Sequence, residues 1–314
     1  MTRILVTEPE YFDEDARKEL RKSGELVLRR LGRKPLEKII PTIDVLVVRI
    51  ETKVDRRLLG MAKRLKIIGS ATTGLDHIDL EFAKGMGIKV ISLHGIHTIP
   101  TAEHTMALMI SLCRNIPWAH MSLSKGAWQR HRFIGRELNG KTLGIVGLGR
   151  IGKQVAKYAV QLGMNVTYYD PNVFRQPLAR KITSLPKLLS GADILSIHAS
   201  LTKETNGLIG RKEISQMKES SLLINTARGK IVDYTALLDA LAKHAISGAA
   251  IDVFPNEPLE NPADPIIAYA RRHQNLLVTP HLGGSTREAI HRAGLEVSTK
   301  IGIALKANRR EGKL

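Results

Sequence analysis

The stretch Lys141-Thr-Leu-Gly-Ile-Val-Gly147-Leu-Gly149-Arg-Ile-Gly152 decides the fold of this 314-residue chain. An apolar run rich in β-branched residues leads directly into three glycines spaced G-x-G-x-x-G, and a helical pattern begins at once. Gly147 permits the tight turn, Gly149 lets backbone approach a pyrophosphate, and Gly152 lets helix and strand pack closely. The N–H groups and positive dipole of the helix N-terminus attract phosphate. The stretch therefore predicts a dinucleotide-binding unit.

A second strand, Asn165-Val-Thr-Tyr-Tyr, follows this unit and ends at Asp170. An acidic side chain at that place accepts hydrogen bonds from both ribose hydroxyls and repels the extra phosphate of NADP. We therefore predict NAD as the cofactor, while basic neighbours such as Arg175 leave the use of NADP open.

Short apolar runs alternate with helical patterns along the whole chain, as expected of βαβ units. A first series predicts buried strands at residues 4–7, 45–50, 67–70 and 89–91. A second series predicts six strands, at residues 142–146, 165–169, 194–198, 222–226, 249–253 and 276–279. The fold class is therefore α/β, with an NAD-binding Rossmann domain built on a doubly wound parallel sheet and a smaller flavodoxin-like α/β domain.

Two helical patterns join the series. One begins just after Pro100 and reads as a crossover between the domains, and the other, at residues 286–307, is predicted to pack back on the first domain. The predicted domains are residues 1–98 with 286–314 for the substrate and 99–285 for the cofactor.

Composition restricts the class of protein. The chain has 48 Lys and Arg against 30 Asp and Glu, a net charge of +18, but only 4% aromatic residues. The basic residues are scattered and no Cys/His spacing predicts a zinc site, which disfavours nucleic acid as a partner and gives no metal site. No run of about 20 apolar residues predicts a membrane span, so a cytoplasmic protein is expected. The single cysteine, Cys113, lies in an apolar helical run and is expected to be structural.

Three polar residues stand just beyond the later strands, where doubly wound sheets bind ligands. Reduction of a 2-keto acid requires a cation for the carboxylate, a proton donor for the carbonyl oxygen, and a group that keeps this donor charged. Arg228 suits the first role because it can bind a carboxylate with two hydrogen bonds. His281 suits the second, and Glu257 the third, because a carboxylate neighbour favours imidazolium. Each residue alone also fits an ordinary salt bridge, solvated acid or capping position.

Four motifs in order resemble the D-isomer-specific 2-hydroxyacid dehydrogenase family over nearly the whole chain. They are Gly147-Leu-Gly-Arg-Ile-Gly, Asn225-Thr-Ala-Arg-Gly-Lys-Ile-Val-Asp, Asp252-Val-Phe-Pro-Asn-Glu-Pro and Pro280-His-Leu-Gly-Gly-Ser-Thr. The resemblance implies that Arg228 binds the substrate carboxylate, that His281 is the acid/base and that Glu257 is its partner. It also implies a homodimer, because the segment from Thr101 to Arg136 is similar to the family's dimer contact.

The resemblance assigns further positions. The loop containing Thr73 and Gly74 would hold the substrate carboxylate through backbone N–H groups. The remaining cofactor contacts would be Arg150, Ile151, Ala199, Thr226, Ala227, Asp252, Gly283 and Gly284. One departure is that His198-Ala199-Ser200-Leu201 replaces the family's usual His-x-Pro-Leu.

Within the family the chain looks most similar to the 3-phosphoglycerate dehydrogenases, and we expect a short form without their regulatory extension. Arg49 and Arg130 match basic residues of that branch and would bind the substrate phosphate. Ser70, however, stands where that branch often has a further arginine. Glyoxylate/hydroxypyruvate reductase is the alternative enzyme, and an NAD-sensing protein similar to the family's corepressors is the alternative of another class.

Overall fold

The computed structural model describes residues 1–259 and 261–310 and divides into two units. The first unit comprises residues 1–97 and the chain from Gly284 onward, and the second comprises Thr98–Gly283. Both are α/β units built on parallel sheets, which confirms the predicted fold class.

The first unit is built on a five-stranded parallel sheet of order β2-β1-β3-β4-β5, the flavodoxin-like order. Its strands are β1 (Arg3–Val6), β2 (Glu25–Leu28), β3 (Val45–Val48), β4 (Ile67–Ser70) and β5 (Lys89–Ile91). Its helices are α1 (Glu14–Arg21), α2 (Arg33–Ile39), α3 (Arg56–Met61), α4 (Leu80–Gly85) and, from the end of the chain, α12 (Arg287–Arg310).

Helices cover both faces of this sheet, so the central strands are apolar without alternation. Every residue of β3 and β4 is buried. Gly69 in β4 has a packing role, because a Cβ atom there would lie 2.6 Å from Cδ1 of Ile301 in α12. The predicted return of the last helix to the first unit is therefore observed.

The second unit is built on a seven-stranded parallel sheet of order β12-β11-β10-β9-β6-β7-β8. Its strands are β6 (Thr142–Val146), β7 (Asn165–Tyr169), β8 (Arg180–Lys181), β9 (Ile194–Ile197), β10 (Leu222–Asn225), β11 (Gly248–Ile251) and β12 (Leu276–Val278). Its helices are α5 (Thr98–Cys113), α6 (Ile116–Ser124), α7 (Arg150–Gln161), α8 (Leu185–Gly191), α9 (Arg211–Ile214), α10 (Tyr234–Ala242) and α11 (Pro265–Arg272).

The strand order of the second unit creates one reversal point. The chain runs outward from β6 to β7 and β8, then returns to the other side of β6 and continues from β9 to β12. Ligands of doubly wound sheets bind at the carboxyl ends of the strands beside such a point, here β6 and β9.

The structure corrects the predicted elements in three places. The edge strand β2 was not predicted, because its residues are half exposed and give no buried apolar run. The two-residue edge strand β8 was also missed. Helix α5 begins at Thr98 rather than after Pro100, which is allowed because a proline in the first turn needs no N–H partner.

None of the helices in the described part of the chain combines the length and apolar character of a membrane span. Cys113 is buried, and burial raises the pKa of its thiol to about 11, as suits a structural residue.

Candidate active site

The glycine turn after β6 has the geometry of a close-packed phosphate-binding turn. Gly147 has φ +86°, and a Cβ atom there would lie 2.6 Å from the backbone nitrogen of Ala199, which follows β9. A Cβ atom at Gly152 would lie 2.4 Å from the carbonyl oxygen of Gly147. At Gly149, no described residue other than the chain neighbours lies within 4 Å of such an atom. The turn is thus closely packed at Gly147 and Gly152 and open at Gly149, where helix α7 begins.

Asp170 lies at the end of β7 and is tied to this turn. Its Oδ2 accepts a hydrogen bond from the backbone N–H of Leu148 at 2.7 Å. Its Oδ1 accepts from the N–H groups of Asn172 and Val173, at 2.8 and 3.1 Å. Three backbone donors therefore fix the carboxylate beside the glycine turn. Arg150, at the first position of α7, is exposed, and Ile151 is half buried.

These features fit a dinucleotide. The open N-terminus of α7 suits a pyrophosphate, and the fixed carboxylate of Asp170 suits a ribose diol. NAD bound there would supply or accept a hydride at its nicotinamide ring.

The three candidate catalytic residues follow the neighbouring strands β10, β11 and β12. His281 and Glu257 form a direct pair, in which Nδ1 of His281 lies 2.5 Å from Oε2 of Glu257. The other carboxylate oxygen, Oε1, accepts from the backbone N–H of Phe254 at 2.6 Å. Glu257 is thereby fixed to its own loop while it orients the imidazole.

Arg228 is positioned by the turn that follows β10. The side chain of Asn225 donates to the carbonyl of Arg228 at 3.1 Å and accepts from the N–H of Ala227 at 3.1 Å. Gly229 permits close contact with the next loop, because a Cβ atom there would lie 2.0 Å from the carbonyl carbon of Phe254. The loop carrying Arg228 thus packs directly on the loop that leads to Glu257.

Asp252 holds the segment that carries His281. Its fully buried carboxylate accepts hydrogen bonds from the N–H groups of Leu282 and Gly283, at 2.7 and 2.9 Å, and from the hydroxyl of Thr279 at 2.6 Å. Burial acts to raise the pKa of Asp252, but these bonds and a contact with His104 outweigh it and hold the pKa below its usual range. The predicted contact of Asp252 with the cofactor stays a prediction.

The backbone of His281 is itself unusual. Its N–H donates to the carbonyl of Asp252 at 2.8 Å, and its φ of +53° lies in the left-handed region. Non-glycine residues rarely adopt this region unless their surroundings impose it. The Asp252 network provides those surroundings.

Sequence reasoning missed His104, on helix α5. Its Nε2 lies 3.1 Å from Oδ1 of Asp252 and 3.2 Å from the hydroxyl of Thr279. A histidine inside an otherwise apolar helix was the available signal. Thr226 packs nearby in the same unit, with its hydroxyl 2.8 Å from that of Thr105 on α5. The adjacent Ala227 is buried.

The predicted substrate residues are divided between the units. Thr73 and Gly74 lie in the loop after β4 of the first unit, where Thr72 donates to the carbonyl of Gly74 at 2.8 Å and Thr73 contacts His97 at 3.3 Å. Gly284 also belongs to the first unit. Arg49 is buried in that unit after β3.

Arg130 belongs to the second unit. It is exposed and begins the 3-10 helix Arg130–Phe133. Across residues 1–259 and 261–310, no three His, Cys, Asp or Glu side chains are grouped as a metal site.

The chain is similar to known proteins over most of its length. Residues 106–283 match the family model described as D-isomer specific 2-hydroxyacid dehydrogenase, NAD binding domain. The chain is 40% identical over 304 residues to a D-3-phosphoglycerate dehydrogenase of Archaeoglobus fulgidus, covering 95% of this chain but only 56% of that relative.

Two further proteins match over nearly their whole length. A hydroxypyruvate reductase of Thermotoga maritima is 40% identical over 301 residues, 95% of this chain and 97% of the relative. The structure of D-lactate dehydrogenase from Aquifex aeolicus complexed with NAD and lactic acid is 30% identical, with a TM-score of 0.84 and coverage of 99% and 96%.

Proposed function

Because this chain belongs to the D-isomer specific 2-hydroxyacid dehydrogenase family, we propose that it interconverts a D-2-hydroxy acid and the corresponding 2-keto acid with NAD. The contact between His281 and Glu257 carries the proposal. With Nδ1 held by a carboxylate, Nε2 of His281 exchanges a proton with the oxygen on C2 of the substrate. Arg228 binds the substrate carboxylate.

One panel of assays tests this function. The oxidation of NADH is followed with phosphohydroxypyruvate, hydroxypyruvate, glyoxylate and pyruvate in parallel. Turnover of any of them supports the proposal. Tight binding of NADH without turnover of any would instead support the NAD-sensing alternative.

The substrate we propose is the 3-phosphoglycerate/phosphohydroxypyruvate pair, with Arg49 and Arg130 binding the phosphate. The relative named D-3-phosphoglycerate dehydrogenase supports this choice. Glyoxylate/hydroxypyruvate reductase is the second candidate, supported by the hydroxypyruvate reductase of T. maritima, which the chain matches over 97% of its length.

We expect Arg130→Ala to lower kcat/KM for phosphohydroxypyruvate by roughly 10- to 150-fold, since a charge-assisted hydrogen bond contributes about 1.5 to 3 kcal/mol. Hydroxypyruvate has no phosphate and should be nearly unaffected. Arg132→Ala is the matched control, because Arg132 lies in the same 3-10 helix and bonds Gln129. An equal loss for both substrates would favour the hydroxypyruvate reductase assignment.

We expect NAD to be preferred over NADP, and Asp170→Ala to reduce the preference by roughly tenfold or more, since hydrogen bonds to a charged group contribute about 1.5 to 3 kcal/mol. Asp170→Asn removes the negative charge but keeps an oxygen that can accept from the backbone N–H groups. It therefore distinguishes the effect of the charge from the effect of a rearranged turn. The ratio of kcat/KM for the two cofactors measures the effect. Equal use of both cofactors by the wild type would remove the ribose role from Asp170.

We expect Glu257→Gln to lower kcat/KM for reduction by roughly 10- to 150-fold, since the contact between Nδ1 of His281 and Oε2 of Glu257 loses its charge and a charge-assisted hydrogen bond contributes about 1.5 to 3 kcal/mol. Steady-state oxidation of NADH measures the effect. Glu288→Gln, on the first turn of α12, is the control and should leave kcat/KM unaltered. An unchanged kcat/KM in Glu257→Gln would exclude Glu257 from proton transfer.

We also propose a homodimer formed through the segment from α5 to Arg136. Large apolar side chains are exposed along it, as expected of a surface that a partner covers. They are Ile99, Ile116, Met121, Leu123, Trp128 and Ile134.

A further inference from the structure

Two oppositely charged side chains are buried side by side in the first unit. Glu8 follows β1 and Arg49 follows β3, and these strands are neighbours in the sheet. Glu8 is 2% exposed and Arg49 is 5% exposed. Charged side chains are almost never buried to this extent unless they are paired or bind a ligand.

One oxygen of Glu8 is saturated and the other is not. Oε1 accepts from the backbone N–H groups of Arg49 and Thr52, at 3.0 and 3.3 Å, and from the hydroxyl of Thr52 at 3.0 Å. Oε2 is buried and has no hydrogen-bond partner in the described residues. Burial raises the pKa of Glu8, and the nearby charge of Glu51 acts in the same direction. The backbone N–H of Arg49, the hydroxyl of Thr52 and the charge of Arg49 act to lower it but do not outweigh burial.

Arg49 is likewise incompletely satisfied. Its guanidinium carbon lies 4.3 Å from the ring centroid of Tyr11, but Nη1 is buried with no hydrogen-bond partner among the residues described. Burial lowers the pKa of Arg49, whereas the charges of Glu8, Tyr11 and Glu51 act in the opposite direction. Glu51 pairs with Arg30 instead, so Glu8 is the carboxyl group that belongs to this site.

The unsatisfied atoms specify the group that would complete the site. Nη1 of Arg49 needs an acceptor, and an ionised Oε2 of Glu8 needs a hydrogen. A dianionic phosphate satisfies the arginine but is repelled by the carboxylate, and this repulsion is strong away from water. A hydroxyl group, or a phosphate that carries one proton, offers both an oxygen and a hydrogen.

We propose that Glu8 is a specificity-determining residue. With Arg49, it binds the group on C3 of the substrate in a form that carries a hydrogen, which the group donates to Oε2 of Glu8. A primary hydroxyl brings its own hydrogen. A phosphate binds with one proton shared between its oxygen and Oε2 of Glu8. That the bound group is part of the substrate rests on the proposed function. That Glu8 and Arg49 bind a phosphate does not depend on it.

The proposal has a direct thermodynamic consequence. The second ionisation of a phosphate monoester lies near pH 6, so at pH 8 the free group is a dianion. Binding at pH 8 must then take up about one proton from the solvent. Glu8→Gln removes the charge, and its amide can donate to the phosphate, so binding no longer requires this proton.

Titration calorimetry with inorganic phosphate at pH 8, in buffers of different ionisation enthalpy, counts the protons. Arg49→Gln is titrated in parallel, and the phosphate binding that it loses is assigned to the site of Glu8 and Arg49. The wild type should take up about one proton per phosphate bound at it. Glu8→Gln should take up close to none and bind about tenfold more tightly. Glu51→Gln, which removes a nearby charge that is paired with Arg30, should behave as the wild type.

Three outcomes would overturn the proposal. They are phosphate binding by the wild type without proton uptake, equal uptake and affinity in Glu8→Gln, and no Arg49-dependent binding in either protein.

The reaction gives a second measurement. As pH rises from 6 to 8, the ratio of kcat/KM for phosphohydroxypyruvate to that for hydroxypyruvate should fall in the wild type and stay level in Glu8→Gln. If the wild type reduces neither acid, the proposed function fails while the phosphate titration still decides the role of Glu8. If it reduces them with a ratio that Glu8→Gln leaves unchanged, the function stands and the role of Glu8 fails.

Discussion

His281→Asn is expected to lower kcat for reduction of the preferred 2-keto acid by about 100-fold or more, the usual scale for losing a general acid/base. Asparagine removes the titrating ring but tolerates the left-handed backbone that His281 adopts, at φ +53°. The loss can then be assigned to the imidazole rather than to a rearranged loop. Steady-state oxidation of NADH measures it, and unchanged binding of NADH shows that the cofactor site is intact.

His244→Asn is a matched control for this substitution. His244 is exposed and also has a left-handed backbone, with φ +55°. His244→Asn also replaces an imidazole with an amide at a left-handed backbone position, but away from the candidate site. It should therefore leave kcat unaltered. Full activity of His281→Asn would exclude His281 as the acid/base, whatever the effect of the control.

Arg228→Ala is expected to lower kcat/KM by about 150-fold or more, with changes in both kcat and KM. Two charge-assisted hydrogen bonds to a carboxylate contribute together about 3 kcal/mol or more, and they also orient C2 for the reaction. Arg228→Lys keeps the charge but not the paired donors, so it should recover only part of the loss.

Arg211→Ala provides the comparison for Arg228, because Arg211 forms an exposed ion pair with Asp239. Such surface pairs contribute little, so this variant should retain wild-type kinetics. A wild-type kcat/KM in Arg228→Ala would place the substrate carboxylate elsewhere.

Structural features that depend on residues close together in the sequence could be predicted. The strands β6 and β7 were predicted with the bounds that the structure shows, because each is an apolar run that ends at a glycine turn or an acidic residue. The pairing of Glu257 with His281 was also predicted, from the family motifs and from the need for a carboxylate beside the acid/base, and the structure shows this contact.

Features that depend on distant parts of the chain could not be predicted. His104 and Asp252 are 148 positions apart, and neither residue alone indicates the other. Glu8 resembles any acid near a strand end in the sequence. Only the structure shows that it is buried and that one of its oxygens has no hydrogen-bond partner among the described residues. The partly exposed edge strand β2 has no apolar pattern to indicate it.

The left-handed backbone of His281 means that selection for stability and selection for activity act in opposite directions at this position. A non-glycine residue in this conformation costs roughly 1 to 2 kcal/mol, a strain that glycine does not have. A laboratory evolution experiment that ranked variants only by heat resistance would therefore enrich His281→Gly and discard the residue proposed as the proton donor. Thermostable versions of this protein should be sought at other positions, with turnover measured in every round.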